Sequence, residues 1–200
     1  MEWLTAFLTA FILIVPVELP DKTFVATLVL STRYRALPVW LGVSAAFAVQ
    51  CAVAVAAGAL LAQLPKTPVT IFAAVMFAIG AVILFRGARK ADAEEKEQER
   101  EYTEKITAPR SGWRAALTSF TVLFAAEWGD LSQLATAALV ARGGHPIAVG
   151  LGAWVALATV AGAAVLLGRW LLQRVRLSVV RYIGAGVCAI LATLTVVSLL

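Results

Sequence analysis

The sequence predicts an all-α integral membrane protein of six transmembrane helices, laid out as two inverted three-helix repeats. Three observations predict it. Of the 200 residues, 61% are hydrophobic and 14% charged, with mean hydropathy +0.87, against roughly half apolar and a quarter charged in soluble domains. Several apolar runs exceed the ~18 residues that mark a membrane-spanning helix. The two halves of the chain also repeat one another.

The first segment runs from Trp3 to about Leu30, and Arg33-Tyr34-Arg35 with Pro38 marks the turn after it. Glu2 stands where a cleavable signal would carry a basic stretch, so the first apolar run is expected to remain a helix. The second spans about Val39 to Leu64. Pro65-Lys66-Thr67-Pro68 ends it, because two prolines cannot continue a helical ladder. The third spans about Val69 to Phe85. Residues 1–88 form the first repeat.

Residues 89–111 differ in kind. Ala91-Asp92-Ala93-Glu94-Glu95-Lys96-Glu97-Gln98-Glu99-Arg100-Glu101 mixes both signs of charge with strong helix formers, the composition of a solvated linker. Residues 112–200 form the second repeat. Its segments run from Trp113 to about Val140, from Ile147 to Leu167 and from Tyr182 to the end, with a turn at Arg142-Gly143-Gly144-His145-Pro146. His145 is expected at the surface of that turn. Cys51 and Cys188 lie in apolar runs and read as packed free thiols.

At an offset of 109, Ala6, Leu8, Thr9, Phe11, Glu18, Asp21, Ala26, Thr27, Leu30 and Arg33 match Ala115, Leu117, Thr118, Phe120, Glu127, Asp130, Ala135, Thr136, Leu139 and Arg142. Alanine and leucine matches are cheap in apolar sequence; the Glu, Asp and Arg matches are not. Three helices per half place the second half upside down in the membrane, the plan of many secondary transporters. Fourteen of the seventeen Lys and Arg fall on one side of this layout and two on the other, with Lys22 inside. The bias puts the central loop in the cytoplasm and both termini outside a plasma (inner) membrane. It also accounts for the net charge of +5 without nucleic acid as a partner. Trp3, Trp40, Trp113 and Trp170 fall near helix ends, as interfacial anchors do.

The chemistry lies in two matching motifs, Glu18-Leu19-Pro20-Asp21-Lys22-Thr23 and Glu127-Trp128-Gly129-Asp130-Leu131-Ser132. Of twelve acids, seven are in the central loop and one is Glu2, so Glu18, Asp21, Glu127 and Asp130 are the acids left for the membrane. On a helix, residues three apart share a face, so each motif aims two carboxylates in one direction. Four unpaired charges at helix centres cost on the order of 10 kcal/mol; they must face one another, a cation or water. A cluster that merely ties helices together suits lone polar residues such as Gln50 or Ser44, but not four acids, which repel. Pro20 and Gly129 stand one step before each Asp, where both weaken regular helix, and Pro16 adds a break. Thr23, Ser132 and Gln133 add neutral oxygens. Hard oxygen ligands without Cys or His suit Ca2+, Mg2+ or Mn2+ rather than Zn2+ or Cu+. Lys22 has two readings: it pairs with an acid when the ion is absent, or its stem snorkels to an interface.

These motifs resemble the hallmark of the Gdt-one family of membrane cation transporters (uncharacterised protein family sixteen), two copies of Glu-x-Gly-Asp-Lys/Arg-Thr/Ser in an inverted repeat. The resemblance spans essentially the full chain, with Glu127-Trp128-Gly129-Asp130 and Ser132-Gln133 especially similar. It implies a secondary transporter of Mn2+ in the first place, or Ca2+, working by alternating access with proton antiport. It implies that Glu18, Asp21, Glu127 and Asp130 bind the cation, supported by Thr23, Ser132 and Gln133. Two residues depart from the pattern: Pro20 replaces Gly and Leu131 replaces a basic residue. The expected partners are a divalent cation as substrate, protons and the lipid bilayer. No cofactor and no enzymatic activity are expected, and the oligomeric state is left open. The rival functions are a divalent cation channel and a non-transporting membrane scaffold.

Overall fold

The computed structural model describes residues 2–18, 22–88, 97, 100, 103–104, 111–174 and 177–197. These carry eight helices: α1 (Trp3–Glu18), α2 (Lys22–Arg33), α3 (Ala36–Leu61), α4 (Lys66–Ala88), α5 (Trp113–Ala126), α6 (Leu131–Ala141), α7 (Pro146–Arg174) and α8 (Leu177–Val197). The charged stretch expected between the repeats falls largely outside the described residues.

The first and fourth expected segments are each two helices rather than one. The axes of Trp3–Glu18 and Thr23–Arg33 differ by 72°. In the second half α5 has 14 residues and α6 has 11, about 21 and 17 Å at 1.5 Å per residue, so neither alone crosses a ~30 Å hydrocarbon layer. Among the described residues, length and composition give three helices able to cross a membrane (Ala36–Leu61, Thr67–Ala88 and Pro146–Leu167), or four if α1 and α2 count as one span. The outer surface is apolar: Leu166 is 77% exposed and Leu60 66%, and soluble proteins rarely leave such residues in continuous patches. This is a membrane protein by its surface as well as its composition.

The core runs between α1, α3, α5 and α7, around Ile14, Phe47, Leu123 and Leu157. α1 lies along α7, α3 along α5 and α7, and α4 along α8. Two glycines set the closest approaches. A Cβ on Gly42 of α3 would strike the Ala116 carbonyl of α5, and one on Gly152 of α7 would strike the Phe7 carbonyl of α1. Eight residues further along both helices, Gln50 of α3 reaches Phe124 of α5, so α3 and α5 run in the same direction. α3 and α7 run oppositely: Trp40 Nε1 donates to the Ala158 carbonyl and Trp154 Nε1 to the Ser44 carbonyl, both at 2.9 Å. Trp40 is thus a tie between helices rather than an interfacial anchor, because its indole N–H finds a carbonyl inside the bundle. Trp3 and Trp113 stay exposed at helix starts; the Trp170 side chain lies outside the described part. Cys51 and Cys188 are buried and free.

Candidate functional site

α1 ends at Glu18, two residues after Pro16. Proline gives its helix no N–H and crowds the preceding turn, so the last turn of α1 starts weakened. Glu18 is 1% exposed.

In the second half the break is described completely. α5 stops at Ala126, and Glu127 caps it, its N–H donating to the Leu123 carbonyl at 3.0 Å. Gly129 follows with φ +79°, a left-handed conformation that strains any residue bearing a Cβ. Asp130 then returns to extended backbone and caps α6. Its Oδ2 accepts from the Ser132 N–H at 3.3 Å and the Ser132 hydroxyl at 3.4 Å. The Gly129 N–H donates to Gln133 Oε1 at 3.1 Å, and the Asp130 N–H to the Glu127 carbonyl at 3.3 Å.

Glu127 and Asp130 therefore do not share a helix face. They sit on opposite sides of a turn between two helices, and the tightness of that turn keeps them neighbours. Across the bundle the turn meets the end of α1. Carboxylate oxygens of Glu18, Glu127 and Asp130 all lie within 4.8 Å of one another, with both glutamates buried and Asp130 partly so. Oxygens bound to one ion at 2.1–2.6 Å stand at most about 5 Å apart, so one divalent cation can be reached by all three.

Helix electrostatics reinforce this. Glu18 and Glu127 stand at the C-terminal ends of α1 and α5, where the helix dipole is negative and favours cations. Asp130 stands at the N-terminus of α6, where a negative charge is favoured. Two acids against two negative helix ends make a site that attracts positive charge from both sides.

The other residues singled out in the sequence fall as follows. Asp21 and Pro20 lie outside the described residues. Lys22 opens α2, and its side chain lies outside the described part. Thr23 is buried in the first turn of α2, its hydroxyl without a hydrogen-bond partner among the described residues. Ser132 is engaged with Asp130. Gln133 directs its oxygen to Gly129 and leaves Nε2 buried without such a partner; as placed, it shapes the turn. One contributor was read in the sequence only as a helix tie: Gln50, 2% exposed, donates from Nε2 to the Phe124 carbonyl at 3.2 Å.

The family profile described as divalent cation/proton antiporter GDT1 matches residues 6–92 and 115–200, both halves without most of the charged linker. The GDT1-like protein sll0615 of Synechocystis sp. is 33% identical over 190 residues, covering 90% of this chain and 91% of that protein. The chloroplastic protein PAM71 of Arabidopsis thaliana is 30% identical over 217 residues, covering 96% of this chain and 56% of that protein. The chloroplastic GDT1-like protein 1 of Oryza sativa subsp. indica is 29% identical over 214 residues, covering 98% and 62%. The chain thus spans nearly all of the cyanobacterial relative and somewhat over half of each plant one. No solved structure matches it.

Proposed function

Because the chain belongs to the GDT1 family of divalent cation/proton antiporters, we propose that it carries Mn2+ or Ca2+ across a membrane by alternating access, in exchange for protons, at a site of Glu18, Asp21, Glu127 and Asp130. The observation that carries this reading is the meeting of Glu18, Glu127 and Asp130 oxygens within 4.8 Å, contributed by the ends of three different helices. Three negative charges at that spacing repel strongly. A divalent cation relieves the repulsion, and so do protons. The two occupants are alternatives for one site, which is what exchange requires.

The inverted-repeat reading is supported by the helix contacts. Gly42 against Ala116 and Gly152 against Phe7 are repeat-related: Ala116 follows Phe7 by the offset of 109, and Val149, Leu151 and Gly152 follow Val39, Leu41 and Gly42 by 110. α3 and α7 run oppositely, as the corresponding helices of inverted halves must. Under this reading α5 with α6 forms one broken span, like α1 with α2, giving six spans with the arginine-rich ends in the cytoplasm. Thr23, Ser132 and Gln133 are the supporting polar residues of this site: Thr23 as an available hydroxyl, Ser132 through Asp130 and Gln133 beside the Gly129 turn.

The test is transport in proteoliposomes under an imposed pH gradient, with Mn2+, Ca2+ and Mg2+ offered separately. Mn2+ or Ca2+ flux should be accompanied by counter-movement of protons read by an internal pH dye. Cation flux with no linked proton movement, or ohmic single-channel current, defeats the exchange reading.

A further inference from the structure

We propose that Gln50 is a positioning residue for the second half of the cation site, an inference that rests on the function proposed above. A helix leaves its last four carbonyls without helical donors. At the end of α5 the Leu123 carbonyl is taken by the Glu127 N–H. The next carbonyl, Phe124, would take the Trp128 N–H in a continuing helix, but α5 has ended at Ala126. Gln50 Nε2 supplies the donor instead, at 3.2 Å. Water is scarce at this depth, and a carbonyl left bare there costs several kcal/mol. Phe124 lies three residues before Glu127, so the tie holds the turn from which Glu127 and then Asp130 project.

The repeat shows that the tie belongs to one half alone. Gln50 stands eight residues after Gly42 and Phe124 eight after Ala116. The same steps from Gly152 and Phe7 lead to Val160 and Val15. Val160 is 4% exposed, and Val15 packs against its cluster. Glu18 follows Val15 by three residues, as Glu127 follows Phe124. A valine donates no hydrogen bond from its side chain, so on the Glu18 side apolar contact replaces the amide tie. The two halves therefore differ at this step: α3 gives the carbonyl before Glu127 a directional bond from Gln50, while the matching step before Glu18 is a Val15–Val160 apolar contact.

The test uses the full chain with Gln50→Met, which keeps the side chain's shape without its donor, and Gln50→Asn, which keeps the amide on a shorter stem. Mn2+ alone is the probe, read by its stabilisation of the detergent-solubilised protein and by the concentration dependence of uptake in proteoliposomes. Gln50→Met is expected to raise the half-saturating Mn2+ concentration about tenfold while maximal uptake per folded molecule changes less than about twofold. Gln50→Asn is expected to raise it by an intermediate factor, and serves alone if the Met variant does not fold. Unchanged half-saturation in the variants that fold, with only thermal stability lowered, overturns the proposal and leaves Gln50 a mere helix tie. A wild-type protein that binds neither Mn2+ nor Ca2+ defeats the functional reading itself, a different and separately visible failure.

Discussion

Replacing Glu127 by Gln removes one charge from the proposed site while keeping nearly the same shape. With carboxylate oxygens within 4.8 Å and an effective dielectric constant near 20, each like-charged pair repels by about 3.5 kcal/mol. Glu127→Gln deletes two of the three pairs among Glu18, Glu127 and Asp130, roughly 7 kcal/mol of repulsion. The same change takes an anionic ligand from the cation. Removing one member of a buried ion pair costs about 3–5 kcal/mol, so Mn2+ affinity should fall at least about a hundredfold. The pH dependence should also flatten. If cation and protons compete for the acids, wild-type affinity falls as pH falls, with a slope that counts the protons displaced; one acid fewer gives a shallower slope. The assay is Mn2+ titration of the purified protein at several pH values, with helical content and elution profile confirming the fold. Gln is cheaper to bury than a carboxylate, so misfolding is not the expected cause of lost binding. A variant with wild-type affinity and an unaltered pH slope would refute the assignment of Glu127 to the site.

Three further outcomes are expected. Gly129→Ala should destabilise the protein by about 1–2 kcal/mol, lowering Tm by roughly 2–8 °C, purely through the backbone, since an added Cβ meets nothing within 4 Å; unchanged thermal unfolding would refute the left-handed turn. Gly42→Ala and Gly152→Ala should each destabilise by about 1–3 kcal/mol or more, because the methyl meets a backbone carbonyl. Gly186→Ala, where nothing stands within 4 Å, should stabilise α8 by up to about 1 kcal/mol; the reverse order in Tm would count against these packing contacts. Trp40→Phe and Trp154→Phe should each lower stability by about 0.5–1.5 kcal/mol and leave Mn2+ affinity unchanged, since their carbonyl partners, Ala158 and Ser44, belong to the α3–α7 pair.

The clustering of Glu18, Glu127 and Asp130 could be expected from the sequence, because charge in apolar sequence is costly and these acids occur in two copies at one offset; Asp21 lies outside the described residues. The helical class was legible for the same reason that it is general in membranes: backbone groups must be satisfied within the segment. The two broken segments were signalled by Pro16, Pro20 and Gly129, but how they break was not. Spacing three residues apart places Glu127 and Asp130 on one face only if the helix continues. Gly129 at φ +79° ends it, and the two acids meet around a turn instead. Gln133 was read as a supporting oxygen ligand; that its Oε1 also accepts from the Gly129 N–H was not legible, because that local partner exists only once the turn has formed. Trp40 looked like an anchor because it lies near a helix end; its tie to Ala158 depends on the rotation of α7, a tertiary matter. Gln50 announced a polar contact but not its target, which depends on where α5 stops.

The three acids brought together are not equivalent, and the helix ends that hold them say how. Asp130 has a helix N-terminus behind it and two donors from Ser132 at 3.3 and 3.4 Å, so its charge is supported by the protein itself. Glu18 and Glu127 project from helix C-termini, where the backbone opposes a negative charge. The proposed ion would thus meet one carboxylate at a helix N-terminus and two at helix C-termini, three ligands in two different electrostatic settings. The proposed inversion of the halves bears on this arrangement. Because α1 and α5 enter from opposite faces under that reading, Glu18 and Glu127 each end a helix rooted on a different side of the membrane. Under the alternating access proposed above, movement of either helix would change the access of its own side of the membrane to the shared site.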